Sequence, residues 1–288
     1  MMETLQVLRG SLLLLLLVAG VCIEGYKPVI IVHGLFSGPE EYHTLIDNIK
    51  KAHPGTEVNA ISLYNYAEST VPLKEQVKGF TKVLTDIMNK NPDGIHLLCY
   101  SQGGEICRGL LSTIPNHNVD TFIALSSPLA GQYGATKFLK WLVPKKWVYL
   151  ICNTVGSKIS ICDYWKDPHH MTDYLKNNQY LTLLDGEKPN KDMEAWRNNF
   201  LRLKKLVLIG GPDDEVITPW QSSHFGFYDS NERIVEMRNQ EFYKKDKFGL
   251  KTMDDRGDVS VCVRAGVRHL KWHSDQAVFN SCIEKWLT

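Results

Sequence analysis

An alternation of short apolar runs with longer amphipathic stretches limits the fold more than any other feature. The candidate strands cover residues 27–32, 58–63, 95–99, 121–125, 205–209 and 259–264. Residues 40–52, 73–88 and 103–113 place apolar side chains near helical spacing, and residues 275–287 predict a closing helix. Strands that are apolar along their whole length are typical of a parallel sheet buried on both faces. The sequence therefore predicts an α/β fold with a mainly parallel sheet covered by helices.

Residues 128–203 interrupt this alternation with irregular sequence rich in aromatic residues, including "KFLKWLVPKKWVYLICN". The strands predicted after the interruption need the earlier strands as pairing partners. One domain over residues 26–288, with an inserted cap over residues 128–203, therefore fits better than two independent domains.

Residues 1–25 are typical of a cleaved signal peptide. Arg9 is followed by an apolar stretch over residues 12–18 and then by small residues up to Gly25. A membrane anchor is the alternative, but it needs about 20 apolar residues to span a bilayer. We therefore expect entry into the secretory pathway and no stable membrane span.

The cysteine count fits an oxidising compartment. Removal of Cys22 with the signal peptide leaves an even six cysteines in the mature chain: Cys99, Cys107, Cys152, Cys162, Cys262 and Cys282. Even parity favours disulfides, although six cysteines allow fifteen pairings and spacing alone does not choose among them.

Two kinds of partner are disfavoured by composition. No C-x-x-C pair occurs, so the cysteines do not predict a zinc site or another metal centre. The formal net charge is only +1, which offers no basic surface excess for nucleic acid.

Ser101 stands between a predicted strand and a predicted helix, in "CYSQGG". A serine on such a sharp turn is exposed above a sheet, as in the G-x-S-x-G nucleophile elbow. Gly103 fills the second glycine position, and Cys99 replaces the first, so the motif is incomplete. The alternative for Ser101 is an ordinary helix N-cap.

The segment "HGLF" at residues 33–36 directly follows the first predicted strand. This is where hydrolases with a nucleophile elbow place a loop whose backbone N–H groups face the serine. Leu35 and Gln102 are therefore the expected oxyanion donors, and each such donor contributes about 3 to 4 kcal/mol to the transition state. His33 precedes the donor and is expected to be structural.

An acid and a base occur after late strands in the chain order serine, aspartate, histidine. Asp213 and Asp214 follow the strand at 205–209, and His269 and His273 follow the last strand. A solvated acidic turn and a surface histidine are the alternatives. Of the two histidines we favour His269, because it comes soon after the strand whereas "HSD" at residues 273–275 resembles a helix cap. Position alone does not choose between Asp213 and Asp214.

With these residues in place, the chain resembles the palmitoyl-protein thioesterase family. The resemblance rests on strings such as "YKPVIIVHGLF", "CYSQGG", "HNVDTFIALSSP", "DPHH" and "VLIGGPDD" and covers nearly everything after the signal peptide. It implies an α/β-hydrolase that cleaves long-chain fatty acyl thioesters such as palmitoyl-CoA in the lysosome. It also implies Ser101 as nucleophile, Asp214 as acid and His269 as base, with no metal or organic cofactor.

The family resemblance also implies three disulfides in the mature chain. We predict the local couples Cys99 with Cys107, Cys152 with Cys162, and Cys262 with Cys282. The first would tie together the turn that lacks a glycine. The chain has no N-x-[ST] sequon, unlike the usual family member, so the resemblance leaves its sorting route open.

Two other functions use the same residues. A lipase or carboxylesterase would apply this triad to oxygen esters, and a protein that has lost catalysis would serve as a binding module. The second would normally show a replaced triad residue, and none is replaced. For an acyl substrate, the insertion's aromatic residues are candidate groove walls, with an ordinary aromatic core as the alternative: Trp141, Trp147, Tyr149 and Trp165.

Overall fold

The centre of the molecule is a parallel β-sheet. The computed structural model describes residues 25–134 and 145–288. Six strands pair in the order β2-β1-β3-β4-β5-β8, and every pairing is parallel. Their bounds are β1 Val29–Val32, β2 Val58–Ala60, β3 Ile95–Tyr100, β4 Val119–Leu125, β5 Lys205–Gly210 and β8 Val259–Val263, and a separate antiparallel pair consists of β6 Phe227–Tyr228 and β7 Ile234–Val235.

Eleven α-helices lie in the described part of the chain. They are α1 His43–Ala52, α2 Leu73–Lys90, α3 Gln102–Thr113, α4 Lys145–Val155, α5 Ser160–Tyr164, α6 Met171–Asn177, α7 Leu181–Leu184, α8 Met193–Phe200, α9 Glu241–Lys244, α10 Leu250–Asp255 and α11 Gln276–Val278. Short 3₁₀ turns connect several of them, including Tyr66–Thr70 and His269–Lys271.

Two hydrophobic clusters cover the two faces of the sheet. Because successive strand side chains point to opposite faces, Ile30 and Val32 of β1 join one cluster while Val29 and Ile31 join the other. All four are buried, which explains why the strand is apolar without alternation. The structure thus confirms the predicted α/β fold with a parallel sheet covered on both faces.

The predicted elements are present, and three of them differ from the prediction by more than two residues or in regularity. The strand predicted over 58–63 ends at Ala60, and the helix predicted from residue 40 begins with a 3₁₀ turn over Pro39–Tyr42. The closing helix is not uniform: α11 passes into a π-helical turn over Phe279–Ile283 and then into a 3₁₀ turn. The predicted signal peptide, apart from Gly25, and Trp141 lie outside the described residues.

Helices α4 to α8 occupy the chain between β4 and β5. The buried Arg108 of α3 forms an ion pair of 2.6 Å with Asp185, which directly follows α7. Tyr180 donates a hydrogen bond of 2.7 Å from its hydroxyl to the carbonyl of Glu105 on α3. The segment is therefore fastened to α3 by side chains, and its description as an inserted cap remains a prediction.

The aromatic residues of this segment differ in their surroundings. Trp165 is buried in a cluster with Tyr133, Cys152, Cys162 and Phe227. Trp147, in contrast, is exposed. Trp165 therefore packs in an aromatic cluster, and the role of these residues as groove walls remains a prediction.

The structure contains three disulfides, each between cysteines close in sequence. Cys99 at the end of β3 is joined to Cys107 in α3, Cys152 in α4 is joined to Cys162 in α5, and Cys262 in β8 is joined to Cys282. The first spans the turn at Ser101.

Candidate active site

Ser101 lies on a strained turn between β3 and α3. Its backbone has φ 52° and ψ −126°, a conformation that non-glycine residues rarely adopt. Such strain persists only where the surrounding structure enforces it, and it clusters at functional sites. The turn is the elbow that the sequence predicts.

Glycines next to Ser101 allow this turn to form. A Cβ on Gly103 would lie 2.4 Å from the carbonyl oxygen of Val32, and one on Gly34 would lie 2.9 Å from the Cβ of Ser101. A side chain at either position would force the backbone apart. The missing first glycine is tolerated because Cys99 points into the core, where it joins Cys107.

A continuous hydrogen-bonded chain runs from Ser101 through His269 to Asp214. His269 Nε2 lies 3.0 Å from Ser101 Oγ, and His269 Nδ1 lies 3.0 Å from both carboxylate oxygens of Asp214. The three side chains are buried or nearly so. This order of nucleophile, base and orienting acid is the arrangement that activates a serine for acyl transfer.

Short connections from the sheet place the acid and the base. Asp214 follows β5 by four residues, and His269 follows β8 by six. The amide of His269 donates a hydrogen bond of 2.9 Å to the carbonyl of Asp214, which joins the two loops through the backbone. The parallel pairing of β5 with β8 therefore brings residues 55 positions apart together.

Asp214 accepts several hydrogen bonds besides that of His269. The indole N–H of Trp272 donates to its Oδ2 over 2.6 Å, the Ile217 amide donates to its Oδ1 over 2.7 Å, and the Ser126 hydroxyl also bonds to Oδ2. Burial alone would raise the pKa of Asp214, but the bonds and charge from His269, with those from Ser126 and Ile217, hold the pKa below its usual value. The carboxylate stays ionised beside the histidine.

Sequence reasoning missed Ser126 and Trp272. Ser126 directly follows β4, has φ 48°, and lies 3.2 Å through its Oγ from His269 Nδ1. Its place at a strand end in "ALSSP" is a signal that could have found it, because parallel strand ends meet at one edge. Trp272 offered no signal, since a buried tryptophan ordinarily belongs to a core.

Contacts distinguish the two candidate aspartates from each other and the two candidate histidines from each other. Asp213 accepts a hydrogen bond of 2.7 Å from the Gly266 amide, whereas Asp214 faces His269. His273 packs its ring between Tyr42 and Tyr100, and burial, followed by the charges of His269 and Lys271, lowers its pKa to about 4. The geometry brings Asp214 and His269 to Ser101.

The two expected oxyanion donors lie on chain segments next to the serine. Leu35 lies in the turn after β1, next to Gly34, whose α-carbon faces Ser101. Gln102 begins α3, and its side chain is held by the carbonyl of Ser69 and the hydroxyl of Tyr164. His33 places its ring nitrogens 2.9 Å from the carbonyl of Gly34 and 3.0 Å from that of Leu63, which suits a role in fixing the loop.

Within residues 25–134 and 145–288, no group of three or more histidine, cysteine or acidic side chains could hold a metal ion. In the same residues, no helix is both long and apolar enough to cross a bilayer.

The fold is that of an α/β-hydrolase. The solved structure of a monoacylglycerol lipase from Paleococcus ferrophilus superposes with a TM-score of 0.51 at 16% identity, covering 91% of this chain and 96% of the lipase. A Pyrococcus furiosus esterase gives a TM-score of 0.50 at 16% identity, covering 91% of this chain and 81% of the esterase. At this identity the likeness concerns the fold alone.

The chain belongs to the palmitoyl protein thioesterase family, whose model matches residues 28–269. It is 53% identical to lysosomal thioesterase PPT2 of Rattus norvegicus and 52% identical to that of Homo sapiens, each over 91% of this chain and 88% of the relative. A Drosophila melanogaster homologue of PPT2 is 39% identical over 91% of this chain and 92% of its own. These matches confirm the resemblance found in the sequence.

Proposed function

We propose that Ser101, His269 and Asp214 form the catalytic triad with which this chain hydrolyses long-chain fatty acyl thioesters. The observation that carries the proposal is the unbroken hydrogen-bonded chain between these side chains, with Ser101 on a strained elbow. Membership of the thioesterase family, and the names of its lysosomal relatives, supply the substrate class.

The first half of the reaction is acylation of Ser101. His269 Nε2 takes the hydroxyl proton while Ser101 Oγ attacks the thioester carbonyl, and the C–O bond forms as the carbonyl π electrons move onto oxygen. The backbone N–H groups of Leu35 and Gln102 hold that oxyanion. When the tetrahedral intermediate collapses, the C–S bond breaks and the thiolate leaves with the proton carried by His269.

The second half releases the fatty acid. His269 removes a proton from a water molecule, the resulting hydroxide attacks the acyl ester, and Ser101 recovers its proton as the C–O bond breaks. Asp214 keeps Nδ1 of His269 protonated throughout, so Nε2 can act as the base. The ionised state of Asp214 and its bonds to Trp272 and Ile217 suit this role.

The cellular setting forms part of the proposal. The mammalian relatives are named lysosomal thioesterases. Three disulfides suit an oxidising route. We infer that residues 1–25 direct the chain into the secretory pathway and that the enzyme works in the lysosome.

A hydrolysis panel tests both the triad and the substrate class. Purified protein should hydrolyse palmitoyl-CoA and an S-palmitoylated peptide faster than a palmitate oxygen ester. Ser101→Ala and His269→Ala should each lower kcat by roughly 10⁴ to 10⁶, and the double variant should lose little more because the triad acts as a unit. His273→Ala is the matched control and should keep most activity.

Two outcomes would contradict the proposal. Faster turnover of the oxygen ester would replace the thioesterase assignment with an esterase. Loss of activity in His273→Ala, together with an active His269→Ala, would show that His273 is the base and that the assignment to His269 is wrong.

A further inference from the structure

Helix α4 has an apolar stripe on its solvent side. Trp147, Leu150 and Ile151 are 60%, 43% and 41% exposed and follow one another at i, i+3 and i+4. An adjacent face of the helix packs on the cluster that contains Trp165, through Val148 and Val155. A surface helix normally turns polar side chains outward, so this stripe needs a partner.

Exposed lysines flank the stripe. Lys145 and Lys146 begin α4, Lys158 follows it, and all three are exposed. The helix itself, "KKWVYLICNTV", contains no aspartate or glutamate. Lys145 lies 3.7 Å from Glu232 and 4.0 Å from the ring centre of Tyr133, which leaves Lys146 and Lys158 as the freer cations.

Helix α4 is linked to the candidate active site through helix α5. The Cys152–Cys162 disulfide joins it to α5, whose Tyr164 donates a hydrogen bond of 3.1 Å to the Gln102 side chain beside Ser101. Two further exposed apolar side chains adjoin the site: Phe36, 59% exposed, follows Leu35, and Leu270, 69% exposed, follows His269. Exposed apolar side chains therefore also occur in the loops of the candidate active site.

We propose that the solvent-facing stripe of α4 docks on an anionic lipid surface. An apolar stripe containing tryptophan, with lysines beside it, is the pattern of a helix that lies in the headgroup region of a membrane. The lysines complement anionic headgroups, a match that a purely apolar protein partner would not require. Docking would bring the loops at Ser101 close to substrates whose acyl chains lie in the lipid.

Vesicle flotation of the full chain tests this inference. Wild-type protein should float with phosphatidylcholine vesicles that contain phosphatidylglycerol, and less with phosphatidylcholine alone or at high salt. Leu150→Gln combined with Ile151→Gln should lower the partition coefficient by roughly tenfold or more. Lys146→Glu, tested separately, should weaken binding to the anionic vesicles only.

The matched control replaces the same number of exposed aliphatic residues elsewhere. Val261 and Val263 of the edge strand β8 are also exposed, and Val261→Gln combined with Val263→Gln should float like wild type. All variants should hydrolyse a soluble short-chain thioester at the wild-type rate. Ser101→Ala should also float like wild type, so docking is tested separately from catalysis.

Four results would overturn the inference. Wild-type protein that does not float, stripe variants that float unchanged, and a control pair that loses binding equally would each exclude α4 as a lipid-docking helix. Self-association that the stripe substitutions abolish, without any vesicle binding, would make the stripe an interface between proteins.

Discussion

The loops at the carboxyl ends of the strands and the helices between β4 and β5 are held in place by different means. Ser101, Asp214 and His269 each follow a strand within a few residues, so the strand pairing sets their separations. Strand pairing does not position helices α4 to α8. Side chains at the two ends of α7 fasten it to α3, through the ion pair of Arg108 with Asp185 and the hydrogen bond from Tyr180 to Glu105.

Because the two regions are held differently, we expect substitutions in them to affect different properties. A site positioned by strand ends keeps its geometry when one polar side chain changes, because the backbone hydrogen bonds between the strands remain. A helical segment held by buried polar pairs loses stability when one partner is removed, since the other is left buried and unpaired. Substitutions in the first region should therefore lower activity, and those in the second should lower the free energy of unfolding.

The largest effect is expected for Asp214→Asn. An amide cannot hold His269 in the tautomer that accepts the Ser101 proton, so kcat should fall about 10⁴-fold. Thermal unfolding should change much less, because β5 and β8 still pair. Asp213→Asn is the control and should remain active, since Asp213 bonds only to the loop at Gly266. Equal losses in the two variants would refute the assignment of the acid.

Arg108→Met should have the largest effect on stability. It removes the partner that lies 2.6 Å from the buried Asp185 carboxylate and leaves Lys166, at 4.0 Å, as the remaining cation. It also removes a guanidinium 4.2 Å from the Phe248 ring centre. Breaking a buried ion pair in this way costs about 3 to 5 kcal/mol, to be measured by urea unfolding, while kcat of the folded protein should change little. Arg233→Met, which breaks an exposed pair with Asp229, should cost less than about 1 kcal/mol. Similar losses in the two variants would show that α3 does not fasten this segment.

Glu105→Gln should change how stability depends on pH. Burial raises the pKa of Glu105 from 4.5 to about 8, and within the described residues its carboxyl oxygens have no hydrogen-bond partner. The folded protein keeps this proton while the unfolded chain loses it, so the contribution to stability is full below pH 4.5 and is lost as pH rises to about 8.

The slope from this one group is about 1.4 kcal/mol per pH unit inside that window. The free energy of unfolding of Glu105→Gln, relative to wild type, should therefore rise between pH 5 and pH 8. Measuring the difference cancels the opposite contribution of histidines such as His273, whose pKa burial lowers to about 4. The exposed Glu241→Gln should show no such rise, and a flat difference for Glu105→Gln would mean that Glu105 is ionised in the folded protein.

Ser126→Ala should have the smallest effect on activity. It removes one hydrogen bond to the Asp214 carboxylate, and bonds to charged groups contribute about 1.5 to 3 kcal/mol. We expect kcat to fall by roughly tenfold or more with KM unchanged, because Ser126 acts through Asp214 and His269. Ser127→Ala is the matched control, since Ser127 is equally buried but its hydroxyl makes only bonds of 3.4 Å to Cys99 and Leu125. Equal effects of the two variants would point to packing rather than positioning.

The sequence by itself determined the parallel α/β fold, the elbow at Ser101 and the chain order of the acid and base. These depend on local information: apolar periodicity within each strand, and glycines at positions where Gly103 and Gly34 admit no side chain. Only the tertiary structure decided which other residues reach Asp214. Ser126 and Trp272 lie 88 and 58 positions from it, and no local pattern encodes a contact that depends on strand order and loop path. The same holds for the pairing of Arg108 with Asp185, because the free energy of a buried charge depends on a partner 77 residues away.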